Sequence, residues 1–63
     1  LLLEKLALRE ALAQLEPREQ EVILRRFFKD ETQSCIADDL GVSQVQVSRI
    51  EKRAINKLKK ILE

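Results

Sequence analysis

The 63-residue chain has no histidine, tryptophan, tyrosine or methionine, and only one glycine, one proline and one cysteine. Each scarcity closes off a class of function. There is no His, no Gly-rich phosphate loop and no cluster of metal-ligand spacing, so the common signatures of acid–base, phosphate-binding and metal chemistry are missing. The chain is therefore expected not to be an enzyme and to need no cofactor or metal. Asp38 and Asp39 are neighbours in sequence on a short helix, so they do not converge and read as solvated surface. A lone Cys35 cannot close an internal disulfide, which fits a reducing, cytoplasmic setting. The opening run LLLEKLAL is too short and too charged for a membrane span or a signal peptide. Its abrupt start without an initiator Met suggests a piece of a longer protein. The length allows one small domain, residues 1–63, which buries about 60% of its unfolded surface and is marginal alone.

What is present is charge, unevenly placed, and helical periodicity. The net charge is +1, yet residues 1–31 carry six basic and seven acidic side chains, whereas residues 44–62 carry six basic and one acidic. A basic excess at one end suits a surface that meets a polyanion; the plainer reading is a solvated helix face. Residues 1–15 are rich in Leu and Ala with no breaker and read as helix. Pro17 suits the first turn of a second helix, PREQEVILRRFF over 17–28, on which Val22, Ile23 and Phe27 alternate sides with Leu24 or Arg26. KDET breaks it. Thr32 is the expected N-cap of a short helix over 33–40, and Gly41 ends that helix as the residue at ease with positive φ. Nothing is repeated or linker-like. The fold expected is all-α, with four helices joined by tight turns.

Residues 42–48, VSQVQVS, alternate apolar and polar and so read as a strand. Three considerations favour helix instead. SQVQ over 43–46 is an S-x-x-Q capping box. A lone strand has no partner. Wound at 100° per residue, 44–62 place Val47, Ile50, Ala54, Leu58, Ile61 and Leu62 on one face, and Arg49, Lys52, Arg53, Asn56 and Lys60 on the other. Val45 falls with the basic residues.

A short helix, a Gly turn and a capped basic helix make a helix-turn-helix. The spacing agrees: small Ala37 lies four before Gly41 where the helices cross, flanked by Ile36, Leu40, Val42, Val47 and Ile50. In this motif the start of the second helix enters the major groove, so Gln44, Val45, Gln46, Ser48 and Arg49 are the candidate base readers. Gln pairs with adenine, Arg with guanine, and Val45 could touch a thymine methyl or be an ordinary surface valine. Lys52, Arg53 and Lys57 suit phosphates, and Thr32 and Ser43 at helix starts can offer backbone N–H groups to them. On the first helix, Leu1, Leu8, Leu12 and Leu15 share one stripe and Leu2, Leu3, Leu6 and Ala13 another. Two stripes suit burial on both sides, by a partner, by a broad core or by self-association.

LEPREQEVILRRFF followed by TQSCIADDLGVSQVQVSRIEKRAINKLKKIL resembles region 4 of bacterial sigma factors of the sigma-70 family, over about residues 12–62. The tail is most similar to the sporulation, general-stress and flagellar branch, through its GxSQVQVSRxEK form. The resemblance implies recognition of the promoter −35 element, with Gln44, Val45, Ser48 and Arg49 reading bases, in the service of transcription initiation at the bacterial nucleoid. It implies as partners promoter DNA, the β-subunit flap of RNA polymerase, gripped by the earlier helices, and an anti-sigma factor. Primary sigma factors tend to carry Arg-Glu and Arg-Gln where this chain has Gln44-Val45 and Ser48-Arg49, so a different −35 sequence is implied. Cys35 stands where the branch often has an acidic residue and reads as a small helix residue. Two alternatives are a response-regulator-type helix-turn-helix, against which the absence of His in SRIEKRAINKL counts, and a helical protein-interaction module whose basic face meets an acidic protein.

Overall fold

The computed structural model describes the backbone of residues 2–62 and the side chains of residues 7–62. Its elements are α1 (Leu2–Ala13), α2 (Pro17–Ile23), a π-helical turn (Leu24–Phe28) continuing α2, α3 (Gln33–Leu40) and α4 (Gln44–Leu62). There is no strand among the described residues.

Each boundary has a local cause. The end of α1 tightens, with the Gln14 N–H on the Ala11 carbonyl and the Leu15 N–H on that of Leu12, both at 3.1 Å. The helix thus stops two residues before the expected Leu15. Pro17 opens α2 where no N–H is needed, and Glu19 reaches back to accept the Glu16 N–H at 3.0 Å. Thr32 caps α3 through its hydroxyl oxygen, which accepts the Cys35 N–H at 3.1 Å.

The second helix, expected to run unbroken over 17–28, changes form at Leu24. Its last turn widens, with the Lys29 N–H on the Leu24 carbonyl at 3.2 Å. Asp30 then takes φ +54°, and the Glu31 N–H returns to the Arg25 carbonyl at 2.9 Å. Asp is among the few non-Gly residues that visit this region. The wide turn sends Phe27 and Phe28 outward, 52% and 59% exposed, so Phe27 does not join Val22 and Ile23 in the core. It turns Arg25 and Arg26 toward α3 and α4 instead. Arg25 pairs with Glu31 at 2.6 Å and with Asp39, and Arg26 pairs with Glu51 at 2.7 Å.

The core has two parts. Val22, Ile36, Ala37 and Val47 are buried together, with Leu40, Val42 and Ile50 against them. Leu15, Ile23 and Ala54 form the second, with Leu12, Ile55 and Leu58 around it. Adjacent residues of α2, Val22 and Ile23, enter different clusters, while Val47 and Ala54 of α4 anchor one each. Helix α4 is thus the common wall of both. The inward stripe expected on it holds through Leu58 but not beyond: Ile61 and Leu62 are 36% and 49% exposed. On α1, Leu15 is buried, Leu8 and Leu12 are half-buried, and Ala13 of the second stripe is exposed. Leu1, Leu2, Leu3 and Leu6 lie outside the described side chains.

Candidate nucleic-acid interface

The site is built from the turn outward. Gly41 sits at φ +68°, a value at which a Cβ is strained by the backbone itself. Its N–H reaches the Asp38 carbonyl at 3.3 Å, and the Val42 N–H reaches that of Ala37 at 3.0 Å, the paired bonds that close a helix with a left-handed residue. Ala37, 4% exposed, lets α3 approach α4 closely. Ser43 and Gln46 form both halves of the expected capping box: the Gln46 N–H donates to the Ser43 hydroxyl at 3.1 Å, and the Ser43 N–H donates to Gln46 Oε1 at 3.0 Å. The alternation at 42–48 is therefore helical: Val47 is fully buried, whereas Val45 is 59% exposed.

Gln44, Val45, Ser48, Arg49 and Lys52 line one shallow groove, together with Gln33 from the first turn of α3. Gln33 escaped the sequence reading. Its position one residue after the Thr32 cap is the signal that could have found it, since the start of α3 abuts the start of α4. Gln44 Nε2 lies 3.5 Å from Gln33 Oε1. Gln46, grouped with the base readers from sequence, is folded back onto the cap and lies outside this groove. The Ser43 N–H, expected to face phosphate, is occupied by Gln46; the N–H groups of Gln44 and Val45 precede the first intrahelical acceptors and are the donors offered by this helix start. At the start of α3 the Thr32 hydroxyl oxygen accepts the Cys35 N–H, a bond that does not involve the backbone N–H expected to meet phosphate.

The basic side chains divide. Arg49, Lys52 and Arg53 are exposed and outside every ion pair among the described residues. Lys57, grouped with them from sequence, instead bonds Glu19 Oε1 at 3.0 Å. Glu19 is 2% exposed, and its Oε2 is buried with no partner. Burial alone would raise the Glu19 pKa. The Glu16 N–H, the Lys57 ammonium and the Arg53 charge together outweigh it and hold the carboxyl below its ordinary value. The Glu31 carboxyl is also held low, chiefly by its bonds from Arg25, whose own pKa is raised by Glu31 and Asp39. No group of three or more His, Cys, Asp or Glu side chains among the described residues is placed to hold a metal ion. No described helix is long and apolar enough to cross a membrane.

A short helix, a left-handed Gly turn and a capped helix with a polar, cationic leading face define a helix-turn-helix domain of the nucleic-acid-binding class. More particularly, the chain belongs to the sigma-70 region 4 family, whose model matches residues 11–60. It is similar to the RNA polymerase sigma-F factor of Bacillus subtilis (strain 168), 50% identical over 56 residues, covering 89% of this chain and 22% of that protein. It is 45% identical over 58 residues to the sigma-G factor of the same organism, covering 92% of this chain and 22% of that protein. The sigma-K factor there is 52% identical over 48 residues, covering 70% of this chain and 16% of that protein. The chain thus spans about a fifth of the length of these curated relatives. No solved structure matches it. Membership of this family favours the sigma-factor reading over the response-regulator and protein-interaction alternatives.

Proposed function

We propose that this domain recognises the −35 element of promoters as part of a sigma factor, directing RNA polymerase to initiate transcription. The observation that carries the reading is the groove of Gln44, Val45, Ser48, Arg49 and Lys52 on the first turns of α4, open to solvent and set by the capping box. Gln44 and Arg49 offer the bidentate chemistry that distinguishes adenine and guanine, and Val45 an apolar surface for a thymine methyl. Lys52 and Arg53, further along the same helix, suit phosphates. The domain is proposed as one unit over residues 1–63, acting at the nucleoid in the bacterial cytoplasm.

The polymerase partner is proposed as the β-subunit flap. Exposed Leu24, Phe27 and Phe28 on the early helices, none of which lines the α4 groove, support an apolar contact. An anti-sigma factor is proposed as a further partner. The deciding experiment selects bound duplexes from a random pool with this chain fused to the flap-tip helix, then repeats the selection with Arg49→Ala. Enrichment of one short motif, and a loss of roughly 1–3 kcal/mol of discrimination at one base pair in the variant, is the expected result. A pool that stays random would overturn the reading.

A further inference from the structure

Gln33 and Gln44 hold matching places, each the first residue of its helix and directly after its cap. Thr32 fixes the start of α3, its hydroxyl oxygen accepting the Cys35 N–H and its carbonyl the Ile36 N–H, both at 3.1 Å. Ser43 fixes the start of α4 in the same way, through the Gln46 and Val47 N–H groups, again at 3.1 Å. Packing of Ile36 and Ala37 on Val47 sets the two starts side by side. The two side chains, 11 positions apart, then meet in the α4 groove, where Gln44 Nε2 donates to Gln33 Oε1 at 3.5 Å. Gln44 is exposed and Gln33 half-buried, so Gln33 is the more confined of the pair. The bond has a chemical consequence. A primary amide carries two N–H groups, one beside its oxygen and one opposite. Bidentate pairing with adenine uses the oxygen and the N–H beside it, toward N6 and N7. The opposite N–H takes no part. Given to Gln33, it leaves the adenine-reading edge of Gln44 free and disfavours the flipped amide, which would set its oxygen against the Gln33 oxygen. It also orders a side chain that would otherwise lose its rotor freedom on binding.

We propose that Gln33 is a positioning residue that sets base specificity: it orients the Gln44 amide for adenine without itself reading a base. The inference rests on the promoter-binding reading and deepens it, adding a residue of α3 to the selection made by α4. At 3.5 Å the bond is long while water surrounds it; DNA in the groove excludes that water and strengthens the bond. A direct contact of Gln33 with a backbone phosphate is the competing role. The half-buried position of Gln33 and the engagement of its amide oxygen by Gln44 favour positioning.

The test uses the duplex motif selected by this chain, with all four base pairs placed in turn at each position, and circular dichroism confirming helix content in every variant. Gln44→Ala identifies the base pair that Gln44 reads. Gln33→Met, of similar length but without an amide, should lower the preference for adenine at that one position about fivefold and leave the other positions unchanged. In the Gln44→Ala background Gln33→Met should have no further effect, the signature of a residue that acts through another. Gln33→Glu keeps an acceptor and loses the donors. It should retain the adenine preference while weakening all sequences alike, since its charge repels phosphate. Preference rescued without affinity is a result that a merely structural role does not produce. Unchanged preference in Gln33→Met, with Gln44→Ala impaired, would overturn the positioning role and leave the promoter reading standing. So would a motif in which Gln44→Ala changes no adenine preference. An equal loss on every sequence in Gln33→Met, additive with Gln44→Ala, would make Gln33 a backbone ligand and likewise overturn it. A pool from which the wild type selects no motif would overturn both.

Discussion

Val45 illustrates how one side chain changes meaning with its surroundings. Alternation places it in a strand with Val42 and Val47; in the helix it is the only one of the three that is more than half exposed, amid Gln44, Ser48 and Arg49. Because it touches none of the core, Val45→Ala should shift stability by no more than about 0.5 kcal/mol. If it meets a thymine methyl, replacing that thymine with uracil should weaken the wild type by roughly 1 kcal/mol and leave Val45→Ala indifferent. Equal responses of the two proteins to uracil at every site position would remove the contact. Lys57 changes meaning in the opposite direction. It has the charge and helix position of a phosphate ligand, yet its ammonium answers a buried carboxylate. Lys57→Ala should therefore cost about 1–3 kcal/mol in urea unfolding, since buried Glu19 keeps the Glu16 N–H but loses its ion-pair partner. A variant as stable as the wild type would return Lys57 to the DNA face.

At the scale of the element, the turn between α3 and α4 is where local sequence is most decisive. A Cβ added at Gly41 meets no atom within 4 Å, so the cost of Gly41→Ala comes from the backbone at φ +68° alone. That cost should be about 1–2 kcal/mol, and Gly41→Asn should recover part of it, because Asn tolerates the left-handed region. Ser43→Ala, removing the hydroxyl that accepts the Gln46 N–H, should cost about 1 kcal/mol. Both are read by thermal unfolding. If either variant melted with the wild type, the corresponding device would not be holding the helix start. The π-helical turn after Ile23 is the contrasting element. Its residues, LRRFF, have ordinary helix propensity, and no local signal marks the widened hydrogen bond. Arg25 and Arg26 find acidic partners on α3 and α4 there, so tertiary pairing accompanies a local geometry that periodicity assigns to a regular helix.

For the whole molecule, Glu19 is the joint. Its Oε1 takes the Glu16 N–H at the start of α2 and the Lys57 ammonium on α4, fastening the second helix to α4. Its pKa is lowered on folding, so its contribution to stability is fully present above the unfolded value near 4.5 and is lost as pH falls through the lower folded value. Glu31 has the same sign but is more exposed, so salt screens its pair more. Stability should therefore decline as pH drops below about 4.5, in a manner that Glu19→Gln largely flattens and 1 M salt does not. Urea midpoints across pH 2–7 for the two proteins are the measurement. A parallel fall in both would place the acid sensitivity elsewhere.

Much of the protein was settled by neighbours in sequence. The three caps and turns at Pro17, Thr32 and Gly41–Gln46, the all-helical class, the inward stripe through Leu58 and the leading residues of α4 all depend on contacts within about four positions, which a linear pattern records. The pairings between helices decided the rest. Whether a cation on α4 stays free or meets Glu19, whether Gln33 joins the groove, whether Phe27 points in or out, and whether Arg18 stands beside Arg53 turn on how α2 and α3 seat against α4. Side chains many positions apart then share one surface, and no period along the chain encodes that distance.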